Sequence, residues 1–137
     1  MGQEELVVPP TLATELDRLG LEFLAEIFAR DVQRHPSNLE ALSALGHLLT
    51  RLGRHAEALS VDRDLVRQQP ECETARYNLA CSLALTGALE ESLTALEESV
   101  ALGYADGEGM ADDPDLRALR ELQRFRVLVD RLRAQAS

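Results

Sequence analysis

Apolar residues recur every three or four positions along most of the chain, a spacing that predicts amphipathic helices. The pattern also repeats at a longer period, because five landmark positions return 34 residues later. The matching positions are Pro36 and Pro70, Leu45 and Leu79, Leu49 and Leu83, Gly53 and Gly87, and Leu59 and Leu93. A period of this length predicts helix-turn-helix units, each of which buries its apolar face only by stacking on its neighbours.

Proline and glycine residues divide the 137-residue chain into units. Residues 1–10 are predicted to be a flexible lead-in, and residues 11–137 a single domain. The domain is predicted to contain a degenerate repeat at 11–36, regular repeats at 37–70 and 71–103, and a C-terminal cap at 113–134. Gly20 is predicted to interrupt the first helix, and the Gly- and Asp-rich stretch 103–113 is predicted to be a loop. The pattern leaves open whether the cap is one helix or two.

Individual residues of the clearest repeat predict how its helices begin, end and pack. Ser37 and Glu40 have the spacing of a capping box at a helix start. Gly53 stands where the first helix ends, a position that favours left-handed backbone without a Cβ. Gly46 and Ala58 are small enough to let the two helix backbones of the pair approach closely.

This repeat resembles a tetratricopeptide repeat. The positions that carry the resemblance are Leu42, Leu45, Gly46, Leu49, Gly53, Ala58 and Pro70. It extends more weakly over about residues 11–134, and the chain is similar to small bacterial proteins of that family. The resemblance implies an all-α fold of antiparallel helix-turn-helix repeats, stacked as a short right-handed superhelix with a C-terminal capping helix. Asp62 replaces a large apolar residue of the family, which indicates either a weaker contact between repeats or an exposed turn.

In this family the first helices of the repeats line a concave groove that binds a peptide or helix of a partner protein. The resemblance places eight residues in that groove: Glu40, Ser43, Ala44, His47, Thr74, Tyr77, Asn78 and Cys81. In peptide-binding members an Asn at the position of Asn78 hydrogen-bonds the ligand backbone; alternatively, Asn78 ties neighbouring helices together or faces water. A clamp for a C-terminal carboxylate is not expected, because the acids Glu108 and Asp112 stand at two of its positions.

The net charge of the chain limits the classes of molecule that it is expected to bind. The chain has 24 acidic and 14 basic residues, a net charge of −10, which argues against nucleic acid and anionic membranes as partners. It favours solubility or a partner with a basic surface. Nine acids and no basic residue lie between Arg76 and Arg117, whereas the last segment is rich in Arg. These two regions are expected either to neutralise each other or to steer a basic partner.

The sequence contains no recognisable catalytic or metal-binding motif. The two cysteines, Cys72 and Cys81, form neither a CxxC pair nor a disulfide framework, and the three histidines lack metal-ligand spacing. We therefore expect no enzyme activity, no cofactor and no metal, and Cys81 is interpreted as a core or groove residue. Unpaired cysteines, an N-terminus without a signal-peptide pattern and the lack of a membrane-spanning segment predict a cytoplasmic protein.

Together these features predict a protein-protein interaction module that binds a segment of another protein in its groove, as a monomer or weak homodimer. One alternative is a small acidic chaperone of the secretion type, which would hold apolar client segments. Another is a structural module that self-associates, because the weak first repeat leaves Leu12, Leu16 and Leu21 partly uncovered.

Overall fold

A computed structural model describes residues 9–136, and every secondary-structure element in that range is a helix. The elements are α1 (Pro10–Arg34), α2 (Leu39–Arg51), α3 (His55–Gln68), α4 (Glu73–Leu85), α5 (Leu89–Ala101), α6 (Gly107–Asp112), a 3-10 helix (Pro114–Leu119) and α7 (Gln123–Ala136). Each of helices α1 to α4 packs on the next, the 3-10 helix packs on α4, and α7 packs on α6. The predicted all-α stacked fold is confirmed. The predicted lead-in, apart from Pro9 and Pro10, lies outside the described residues.

Glycines with positive φ close three of the helices. Gly53, Gly87 and Gly103 have φ of 75°, 86° and 119° and follow the ends of α2, α4 and α5. After α2, the Arg54 N–H donates to Leu49 O at 2.9 Å and the Gly53 N–H to Thr50 O at 3.0 Å. This is the Schellman pattern, which supplies donors to the last carbonyls of the helix. The predicted role of Gly53 is confirmed.

Helix α1 is one continuous helix of 25 residues, so the break predicted at Gly20 is wrong. A glycine inside a helix costs about 1 kcal/mol relative to alanine, which does not by itself interrupt a helix. Packing of one face of α1 on the rest of the protein offsets this cost. On that face Ala25 is buried, and Leu21, Phe28 and Val32 pack around it.

Helix α2 begins one residue later than the capping box predicted. Asn38, not Ser37, is the N-cap, and its Oδ1 accepts from the Ala41 N–H at 3.2 Å. The Asn38 Nδ2 also donates to Asp31 Oδ2 at 3.0 Å. Asn38 therefore caps α2 and ties it to α1, a second bond that the shorter Ser37 side chain does not make.

The predicted close approach of small residues is present between α2 and α3. Ala58 is fully buried, and a Cβ built on Gly46 would lie 2.9 Å from Asp62 Oδ1 and 3.5 Å from Val61 Cγ1. A similar close contact joins α4 and α5, where the buried Ser92 hydroxyl donates to Ala80 O at 2.6 Å.

The C-terminal segment differs from its prediction in two ways. The predicted loop 103–113 contains the short helix α6, which packs on α7 so closely that a Cβ on Gly107 would lie 2.9 Å from Leu132 Cβ. The cap is two elements, the 3-10 helix and α7, with Leu116 and Leu119 of the first fully buried. No helix within residues 9–136 has the length and apolar character to cross a bilayer.

Candidate functional site

A cleft of about 190 Å³ lies between α2, α4 and the start of the 3-10 helix. Five of the eight predicted groove residues line it, namely Ser43, His47, Tyr77, Asn78 and Cys81, and the remaining lining residues are Gly46, Thr50, Asp62, Ser82, Asp113 and Asp115. Spacings of four residues put Ser43 with His47 and Tyr77 with Cys81 on single helix faces. The other three predicted residues, Glu40, Ala44 and Thr74, are not among its lining residues.

Asp62 lies in the cleft as a buried carboxyl group on α3. Its Oδ2 accepts from the Ser82 hydroxyl of α4 at 2.5 Å. Burial raises the pKa of Asp62, while the bond from Ser82 and the nearby His47 oppose that shift. Asp62 is therefore neither an exposed turn nor merely a weaker contact: it is a buried polar link between α3 and α4.

Asp113 joins the 3-10 helix to the cleft wall. The Tyr77 hydroxyl donates to Asp113 Oδ2 at 2.7 Å, and the Tyr77 ring stacks on Tyr104 with a centroid distance of 4.4 Å. The other oxygen, Oδ1, accepts from the Asp115 N–H at 2.9 Å as the cap of the 3-10 helix. Burial, followed by the bond to Asp113, raises the pKa of Tyr77 above its ordinary value, so its hydroxyl remains a donor.

The Cys81 thiol is held in its neutral form. Its Sγ lies 3.8 Å from Asp113 Oδ2, and burial together with the charges of Asp113 and Asp115 raises the pKa of the thiol well above its ordinary range. Cys81, Asp113 and Asp115 offer ligand atoms that lie within 4.8 Å of one another, which is the spacing of a metal site. Without a bound ion this environment disfavours the thiolate, which argues against Cys81 as a nucleophile.

The cleft concentrates negative charge. Asp62, Asp113 and Asp115 all line it, and no Arg of residues 9–136 forms an ion pair with any of the three carboxylates. Burial, followed by the charge of Asp113, raises the pKa of Asp115, while the nearby His55 opposes the shift. Burial is the first cause for both Asp62 and Asp115, so their raised pKa reports mainly the removal of water from these carboxyl groups.

Several acids on the outer surface differ from those of the cleft, because Arg side chains pair with them. Arg124 contacts both Glu90, at 2.7 Å, and Glu97. Three further pairs join Arg63 to Glu91, Arg76 to Glu98 and Arg133 to Glu108. The self-neutralisation expected as one alternative from the sequence is therefore present at these pairs, whereas the three carboxylates of the cleft take no part in it.

Sequence reasoning missed the two acids that complete the cleft. Asp113 and Asp115 lie more than thirty residues beyond Tyr77 and Cys81, and only the packing of the 3-10 helix on α4 brings them together. The sequence signal at this place is the Asp113-Pro114 pair, which is typical of a helix start but gives no information about which helix packs beside it.

Comparison with known proteins identifies a family and a curated relative. The family model described as "Bacterial transcriptional activator domain" matches residues 20–124. The chain is also 32% identical over 87 residues to a chloroplastic protein of Arabidopsis thaliana. That match covers 61% of this chain and 26% of the Arabidopsis protein, so the chain spans about a quarter of the relative's length.

Proposed function

Because the chain belongs to the bacterial transcriptional activator domain family, we propose that it is the protein-binding part of a regulatory assembly. Its cleft binds a basic side chain, Arg or Lys, from a segment of a partner protein. The observation that carries this proposal is that three carboxylates converge on one cleft and pair with no Arg of residues 9–136, while ten acids elsewhere in that range do pair with Arg.

The dimensions of the cleft support a side chain as the ligand. Its volume of about 190 Å³ is below the roughly 300–1,000 Å³ of sites for small molecules and cofactors. A single long side chain entering from a bound peptide matches that size. The partial burial of Asp115 lowers the local dielectric constant, which strengthens the attraction between its carboxylate and an incoming guanidinium or ammonium group.

Neighbouring residues provide polar contacts for the rest of the segment. Asn78 and Ser43 line the cleft with hydrogen-bonding groups, and an Asn at this place in tetratricopeptide repeats binds the ligand backbone. Tyr77 is already bonded to Asp113, so its role is to hold that carboxylate in position. The polar lining gives less support to a chaperone for apolar segments, and the neutral Cys81 thiol gives none to catalysis.

The proposal is tested with peptides that differ in one side chain. Nine-residue peptides with random flanks are synthesised in three versions, with Arg, Lys or norleucine at the centre, and binding to the 137-residue chain is measured by fluorescence polarisation. Binding is expected for Arg or Lys peptides and is expected to fall at least about tenfold for norleucine, because one charge-assisted contact contributes about 1.5–3 kcal/mol.

A matched pair of variants assigns the effect to the cleft. Asp115→Asn removes a cleft charge, whereas Asp112→Asn makes the same change at an exposed position that does not line the cleft. Asp115→Asn is expected to weaken binding of the basic peptides about tenfold or more and Asp112→Asn to leave it nearly unchanged. Equal effects of the two variants, or tight binding of norleucine peptides, would contradict the proposal.

A further inference from the structure

Helix α1 carries two apolar faces, and only one of them contacts the rest of the described chain. The inner face packs on α2 through Ala25 and its neighbours. The outer face is a stripe at spacings of four, three, four and four residues, and its members are Leu12, Leu16, Leu19, Phe23 and Ile27. Each leaves between 44% and 64% of its surface exposed, and Leu24 beside them leaves 44%. A contiguous exposed apolar stripe of this kind marks an interaction surface.

The length of α1 presents this stripe beyond its packing partner. At about 1.5 Å per residue, the 25 residues of α1 span about 37 Å and the 13 residues of α2 about 20 Å. Residues 14–20 are all exposed, and the buried residue of the helix, Ala25, lies in its second half. The first half of the outer stripe is therefore accessible from several sides.

Gly20 gives an independent indication that another helix packs here. It lies beside the outer stripe, and a Cβ added to it would meet no described atom of its own chain within 4 Å. The fold itself therefore does not require a glycine at this place, where alanine would stabilise the helix by about 1 kcal/mol. A glycine facing outward next to a stripe of large side chains allows a large side chain of a second helix to pack against the backbone.

We infer that the outer face of α1 binds the same face of a second copy of this chain, with the two helices antiparallel. Residues 10–22 of α1 carry three acids and one Arg, whereas residues 23–34 carry two acids and two Arg, and Arg30 is paired with Glu26 at 2.9 Å. A parallel pair would set the net-negative half of each helix against the same half of the other copy. An antiparallel pair sets that half against the electrically neutral half, which reduces the repulsion.

Gly20 allows the closest approach of the two helices when Phe23 of each copy packs over Gly20 of the other. The same register sets Leu16 opposite Ile27 and Leu19 opposite Leu24. Six side chains that each leave about half of their surface exposed amount to roughly 500 Å² per copy, so that the pair buries roughly 1,000 Å². That area is the lower bound of a specific interface, which fits a dimer of modest affinity.

Sedimentation velocity over a range of protein concentrations tests the dimer. The 137-residue chain is expected to show a reversible monomer-dimer equilibrium. Leu19→Glu with Phe23→Glu is expected to weaken it at least about tenfold, whereas Val127→Glu, a similar change at an exposed apolar residue of α7, is expected to leave it unchanged. A wild-type chain that stays monomeric at every concentration would overturn the inference, as would a dimer that survives the double substitution.

Disulfide trapping tests the antiparallel orientation. In a Cys72→Ser background, Leu16→Cys and Ile27→Cys variants are oxidised separately and as a mixture. The antiparallel register predicts a cross-link mainly in the mixture, between one copy of each variant. Efficient cross-linking of Leu16→Cys to itself would overturn the orientation. Since the cleft lies on α2, α4 and the 3-10 helix, these results are independent of peptide binding.

Discussion

The two glycines in the interiors of long helices, Gly20 and Gly46, are expected to respond oppositely to the same substitution by alanine. Alanine in a helix interior is favoured over glycine by about 0.8–1.0 kcal/mol. Nothing in the described chain opposes this gain at Gly20, where an added Cβ meets no atom within 4 Å. Gly20→Ala is therefore expected to increase the free energy of unfolding by about 1 kcal/mol.

At Gly46 the same Cβ would lie 2.9 Å from Asp62 Oδ1 and 3.5 Å from Val61 Cγ1. The Asp62 carboxyl group cannot move away freely, because it is buried and bonded to Ser82 at 2.5 Å. Overpacking of this kind costs about 1–3 kcal/mol, which offsets or exceeds the gain in helix propensity. Gly46→Ala is expected to lower the free energy of unfolding by about 0–2 kcal/mol, leaving the two variants about 1–3 kcal/mol apart.

Urea denaturation followed by circular dichroism measures both values, at a dilution where association through α1 does not contribute. At this chain length the predicted separation corresponds to a difference in Tm of roughly 4 °C per kcal/mol. The loss caused by Gly46→Ala should shrink in an Asp62→Ala background, because the carboxyl group that the new Cβ meets is then absent. If Gly46→Ala stabilises the protein as much as Gly20→Ala, the reasoning from this contact is refuted.

Two further predictions concern buried groups of the cleft. Burial raises the folded-state pKa of Asp62 above its unfolded value, so stability is lost as the pH rises through the folded pKa. Asp62→Asn should therefore increase the free energy of unfolding at neutral pH. Urea titrations at several pH values should show that this gain shrinks toward acidic pH. A gain that grows toward acidic pH would contradict that sign. The pKa of the Cys81 thiol is raised, so iodoacetamide at mildly alkaline pH should modify the half-buried Cys72 before Cys81. Mass spectrometry measures the order of modification. Equal labelling of the two cysteines in the folded protein would contradict the environment described for Cys81.

The repeat core was predictable because its determinants are local. Gly53 and Gly87 mark turns that require positive φ, and the Leu stripes mark faces that are buried. The continuity of α1 through Gly20 was not predictable in this way. It depends on packing of the second half of α1 against α2, and the local propensity of one glycine carries no information about that contact.

The candidate cleft was predictable only on the sides contributed by α2 and α4. The repeat register predicted one shared region for five residues that do line the cleft, namely Ser43, His47, Tyr77, Asn78 and Cys81. The remaining wall depends on how a non-repeating C-terminal segment packs. That packing is long-range, and neither periodicity nor charge in the segment specified it.

The bond between Tyr77 and Asp113 also sets the order in which the cleft can be completed during synthesis. The two residues are separated by 36 positions, which a ribosome adds in roughly 2–7 s at about 5–20 residues per second. During that interval α3 can pack on α2 and α4 can pack on α3, but the wall that carries Asp113 and Asp115 has not yet been made. A nascent chain therefore cannot present the finished acidic cleft until the 3-10 helix has been translated and has folded back onto α4.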